Sequence, residues 1–249
     1  MLIAAPLWAC ASAPAPQPAP AGYLGTAMAQ ALAAQVAPPP APGSAAELAD
    51  AQAVRAALAP EASPLWLRAQ ADAELDPGAA IALFDCAVGA DLAAANPPAL
   101  TRLFTRELSD AADAWTAAKA RFAFRPKPDV ALGLKPCTEL APGAAKVSAY
   151  PAGHAVTAQL WSKTMAALAP DRAEAIAAKA REIGSSRVVC ATQYPSDVAA
   201  GEALGAKLFE AVASDPTFQA DLAAARAEVA AARAAGLRNP ACAAEQTAE

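Results

Sequence analysis

Apolar residues recur along most of this chain at the three- and four-residue spacing of helices, and no stretch shows the strict alternation of a half-buried strand. Residues 23–36 are predicted as a short helix that Pro38-Pro39-Pro40 stops. Ser44 and Glu47 are spaced as a capping box for a helix that ends at Pro60. Ser63-Pro64 starts another, with proline in the first turn, where no backbone N–H is needed. A further helix is expected over 78–88, ended by Gly89. Beyond Pro97, Leu100, Leu103, Phe104 and Leu108 keep helical spacing, and the helix continues, with a break near Ser109, to Phe122. Proline and glycine dominate residues 125–153, predicting a loop. Helices follow at 155–168 and 173–183, the second capped by Asp171 and Glu174 and stopped by Gly184. The last two run from the 186–197 stretch to about Ala213, and from Asp215-Pro216 to Gly236.

Composition sharpens that pattern into an all-α helical bundle. The chain is 56% hydrophobic but only 5% aromatic, and alanine supplies much of the apolar count. Alanine favours helix and leaves little to pack a sheet. A net charge of −5 argues against a nucleic-acid surface, which needs clustered Lys and Arg. It leaves room for a small anion, since a few buried cations can serve one phosphate.

The ends carry separate signals. Residues 1–9 form an apolar run too short to span a bilayer. No Lys or Arg precedes it, as one would in a signal peptide, so the true start is expected upstream of Met1. Leu7-Trp8-Ala9-Cys10 resembles a lipoprotein cleavage box, which would make Cys10 a lipid anchor and the only membrane attachment. Residues 1–22 are thus an export segment with an Ala/Pro-rich tether, 23–236 the helical domain and 237–249 a tail. The expected location is the periplasm or cell envelope. Cys86, Cys137, Cys190 and Cys242 are even in number and suit two disulfides with three possible connectivities. Zinc is not expected, because there is no Cys-x-x-Cys and His154 is the only histidine. No cofactor is expected.

Three segments carry chemistry. They are Lys119 to Pro128 with Arg125-Pro126-Lys127, then Tyr150-Pro151-Ala152-Gly153-His154, then Ser186-Arg187 through Gln193 to Asp197. In this order they resemble the signature of class A bacterial acid phosphatases, of the type 2 phosphatidic acid phosphatase and vanadium haloperoxidase superfamily. That signature reads Lys-x6-Arg-Pro, Pro-Ser-Gly-His and Ser-Arg-x5-His-x3-Asp. The resemblance implies that Lys119, Arg125, Lys127, Gly153 and Arg187 hold phosphate. It makes His154 the general acid and Asp197 the group that orients the nucleophile. The favoured register of the first segment has a one-residue insertion, with Lys127 in the arginine's place. Lysine keeps the charge but not the bidentate fork. In the second segment Ala152 replaces serine and removes a donor.

Gln193 occupies the nucleophile's position. A carboxamide donates and accepts hydrogen bonds but forms no phosphohistidine. The resemblance therefore implies the fold of an acid phosphatase with a pocket for phosphate or a small phosphorylated ligand, and a degenerate mechanism. Two other readings stand beside it. One is an active, metal-independent phosphomonoesterase with a different nucleophile; the other is an envelope structural protein. A homo-oligomer is compatible with all three.

Overall fold

The computed structural model describes residues 20–138 and 143–242. Cys10, most of the Ala/Pro tract and the end of the tail lie outside the described residues. The described chain is all-α, with no strand among the described residues. Helix α1 (Gly25–Ala33), α2 (Ala45–Ala57) and α3 (Pro64–Ala71) are followed by three single turns. These are α4 (Pro77–Ala80), α5 (Asp85–Val88) and α6 (Leu92–Ala95). The long α7 (Pro98–Lys119) and the short α8 (Pro128–Leu132) come next. The bundle closes with α9 (Gly153–Leu168), α10 (Ala173–Val189), α11 (Pro195–Val212) and α12 (Pro216–Ala234). None of these helices is long and apolar enough to cross a membrane.

Helix α9 is the axis of the fold. It packs on α7, α10, α11 and α12. Side chains all round it are buried, including Val156, Leu160, Trp161, Met165 and Leu168. Trp161 stacks on Phe104 of α7 at 4.6 Å between ring centroids and donates its indole N–H to the Phe104 carbonyl at 3.2 Å. On α11, Gly201 and Gly205 lie one turn apart on the face toward α9. A Cβ at either would collide with a backbone carbonyl, that of Ala152 or of Val156. The two glycines let α11 approach the start of α9 closely, which matters for the site.

Most helix starts follow the local chemistry. Ser44 accepts from the Glu47 N–H at 3.2 Å, although the Glu47 carboxylate returns to the Gly43 N–H rather than to Ser44. Ser63, Asp76 and Asp215 cap α3, α4 and α12 through their side chains. Five local expectations need correction. The helix expected over 78–88 is two single turns, α4 and α5, joined by a 3-10 turn at Ile81–Phe84. Helix α7 is unbroken at Ser109, since Asp110, Ala111 and Ala114 pack inward and continue the stripe of Leu103 and Phe104. The 125–153 loop contains α8, which opens at Pro128 and ends where Gly133 turns left-handed at φ +64°. Asp171 does not cap α10 but pairs with Arg233 of α12. Gly184 does not stop α10. A methyl there would meet Val198 Cγ1 of α11 at 2.8 Å, so this glycine permits a close helix contact. The disulfides are Cys86–Cys242 and Cys137–Cys190. The first ties α5 to the chain beyond α12; the second ties the chain after α8 to the end of α10.

One buried group in the core is unrelated to the site. Glu107 of α7 is fully buried, accepts from the Thr164 hydroxyl of α9, and has no partner for its second oxygen. Burial and the neighbouring Asp110 push its pKa well above the usual carboxylate range. A raised folded pKa means stability is full below the unfolded value of 4.5 and is lost as pH rises towards the folded one. Glu107→Gln, which cannot ionise, should therefore be close to neutral at pH 4. At pH 8 it should stabilise the protein in urea unfolding, since the native Glu107 must by then either ionise in the core or hold its proton against the solvent.

Candidate active site

The third sequence segment begins in the last turn of α10. After Cys190 the chain leaves the helix at Ala191, which is left-handed at φ +54°, a conformation that strains a residue with a Cβ. The Arg187 carbonyl holds this turn. It accepts from the Thr192 and Gln193 N–H groups at 3.0 and 3.1 Å and from the Thr192 hydroxyl at 3.0 Å. The Ala191 carbonyl accepts from the Asp129 N–H at 2.8 Å, bringing α8, just after Lys127, against the same turn. Gln193 is thereby fixed at the head of α11.

The second segment meets it. Ala152 donates its N–H to the Asp197 carbonyl at 2.9 Å, so the start of α9 is tied to the first turn of α11. Ala152 is the N-cap of α9 and supplies no side-chain acceptor, leaving the N–H groups of Gly153 and His154 without partners among the described residues. A sixteen-residue helix whose first amides are free is suited to an anion. Lys119, at the end of α7, donates to the Ser148 and Pro151 carbonyls, each at 2.6 Å, and braces the loop that delivers this helix start.

These segments enclose a cleft of about 180 Å³ lined by Lys119, Lys127, Gly153, His154 and Gln193, with Leu75, Trp115, Val147 and Ser148. Its charged groups are all cationic or imidazole. Burial lowers the Lys119 pKa to about 8, with Asp197 acting against the shift. Burial also lowers that of Lys127, and Asp129 opposes it. The Lys127 ammonium makes no hydrogen bond or ion pair among the described residues, although its carbonyl accepts from the Ala131 N–H. Burial, then the positive charge of Arg187, holds the His154 pKa down to about 3, so its imidazole is neutral in the free cleft. Its Nε2 lies 3.2 Å from the Ala73 carbonyl. Gln193 Oε1 is buried without a donor.

Three residues expected at the site stand behind it instead. Arg125 is only 7% exposed and points away from the cleft. Its guanidinium binds Asp50 at 2.7 Å, Asp197 at 2.5 Å and the Ser196 hydroxyl at 2.8 Å, over the Tyr194 ring. Lys127, not Arg125, lines the cleft. Asp197 is fully buried and accepts from Arg125 and from the Tyr194 N–H at 2.8 Å; its carboxylate makes no bond to the Gln193 side chain. Burial raises its pKa to about 6 against the pull of Arg125. Arg187 is also buried, with one nitrogen on the Ala69 carbonyl and on Cys190 Sγ, while its Nε has no partner. Burial lowers its pKa to about 10. It reaches the cleft through its field on His154 rather than as part of the lining.

Sequence reasoning missed Trp115, Leu75, Val147 and the buried carboxylate Asp50. Trp115 was legible, because it lies four residues before Lys119 and so on the same face of α7. Among the described residues no group of three or more His, Cys, Asp or Glu side chains is placed to hold a metal ion.

The described residues form an all-helical protein whose cleft is lined by a helix N-terminus, two lysines and one histidine. The chain is similar to the non-specific acid phosphatase of Salmonella typhi, at 30% identity over 165 residues, covering 66% of each protein. It is similar to the acid phosphatase of Zymomonas mobilis subsp. mobilis, at 32% over 169 residues, 68% of this chain and 64% of that one. The non-specific acid phosphatase of Providencia stuartii is 27% identical over 164 residues, 66% of each. These matches, which span 64 to 66% of the relatives' own length, support the acid phosphatase family for this chain. No family model matches it.

Proposed function

We propose that this protein is a member of the acid phosphatase family that binds phosphate or a small phosphorylated ligand in the cleft of Lys127, Gly153 and His154, and that it lacks the family's covalent mechanism. The observation that carries this reading is Gln193. It lies in the cleft at the position of the family's nucleophile, and a carboxamide cannot attack phosphorus. The free amides at the start of α9 and the uncommitted Lys127 supply the donors that a phosphoryl group needs. The two disulfides fit an oxidising compartment, in line with a place in the periplasm or envelope.

Isothermal titration with orthophosphate tests the binding. The expected result is saturable binding at millimolar ligand or below, weakened at least about tenfold in Lys127→Ala, the worth of one charge-assisted bond. An anion in the cleft supplies the negative charge that the free site lacks, so it raises the pKa of His154 from about 3. A group whose pKa rises on binding takes up protons wherever the pH lies near or between its two values. Titrations in buffers of different ionisation enthalpy should therefore show net proton uptake at pH 5, absent in His154→Asn. No heat at millimolar phosphate would overturn the reading.

A further inference from the structure

Resting on the phosphate-site reading, we infer that the cleft is built for a phosphoryl group carried on a flat apolar group, with Trp115 as the residue that selects it. The lining is not cationic throughout. Beside the polar Ser148 and Gln193, Leu75, Trp115 and Val147 give it an apolar part, and Val147 remains 48% exposed.

The chain places Trp115 there by two constraints. It stands one turn before Lys119 on α7, so the aromatic wall and the lysine that braces the phosphate loop share one helix face. Gly153 then leaves room for the indole. A Cβ at 153 would sit 3.0 Å from Trp115 Cδ2 and 3.2 Å from Cε3, tighter than ordinary packing allows. The residue whose free N–H serves the anion is therefore also the residue against which the tryptophan rests. Trp115 is half-buried, so part of it stays open to the cleft.

The test is titration of the native protein with phenylphosphonate and methylphosphonate, which cannot lose the phosphoryl group by ester hydrolysis, beside orthophosphate. Phenylphosphonate should bind about tenfold more tightly than methylphosphonate, as expected when part of a phenyl ring leaves water against an aromatic wall. In Trp115→Ala that ratio should fall below about threefold while methylphosphonate affinity is kept, since the phosphoryl donors are untouched. Leu75→Asn provides a second variant on another part of the wall and should reduce the ratio in the same direction if Trp115→Ala does not fold. Equal affinities in the native protein, or a ratio unchanged in the folded variants, would overturn this inference and leave the phosphate site standing. Failure of all three ligands to bind would remove the phosphate site itself.

Discussion

Gln193→His should raise hydrolysis of a generic aryl phosphate about a hundredfold over the native protein at pH 5 to 7. The native protein should be indistinguishable from its buffer blank. Loss of a covalent nucleophile costs on the order of a millionfold in hydrolases, so full restoration would be conspicuous. The geometry sets a smaller recovery. Two bonds to the Arg187 carbonyl hold the 192–193 backbone, and the side chain at 193 already lines the cleft beside His154. An imidazole at 193 would thus enter the right space. The carboxylate that should orient it is taken, because Asp197 is bound by Arg125 and by the Tyr194 N–H. A nucleophilic system whose histidine lacks its orienting carboxylate loses about ten-thousandfold, which leaves roughly a hundredfold of the million. Recovery near the full millionfold would mean that Asp197 exchanges partners easily. Turnover by the native protein, abolished in His154→Ala, would sink the inactive reading and require a different nucleophile.

Arg125→Ala should destabilise the fold by about 3–5 kcal/mol in urea unfolding, because two buried carboxylates lose their shared cation. Asp50 and Asp197 are 6% and 0% exposed, and Arg125 bridges them between α2 and α11. The loss should depend on pH. Asp197 has its pKa raised from 3.8 to about 6 even with Arg125 present. For a raised carboxylate, stability is full below the unfolded value and is lost as pH rises through the folded one. Removing the cation pushes the folded value higher, so the stability of Arg125→Ala should keep falling above pH 6, where the native protein has levelled off. A penalty below about 1 kcal/mol at pH 8 would show that solvent already screens this triad.

The same triad separates what was legible along the chain from what was not. The order of the three chemical segments could be read directly, and the fold sets Gly153 and His154 of the second in the cleft, at a helix start. The choice between Arg125 and Lys127 could not be settled by spacing. It depends on Asp50, seventy-five residues earlier, whose carboxylate draws Arg125 inward and leaves Lys127 to the cleft. Arg187 is a similar case: only the fold shows that its guanidinium is occupied by the Ala69 carbonyl.

The sequence by itself determined the helical class, the family resemblance and the carboxamide at position 193. These follow from local properties: alanine-rich helical spacing, capping residues, and the inability of a carboxamide to attack phosphorus. It also determined most helix starts, since an N-cap needs only a neighbour three residues away. The tertiary structure decided which of three disulfide connectivities forms, whether Gly184 ends a helix or lets two helices touch, and which cations face the cleft. Each of those depends on what lies across the packed interface. A buried charge or a glycine takes its role from the group it meets there, and that group is remote in the chain.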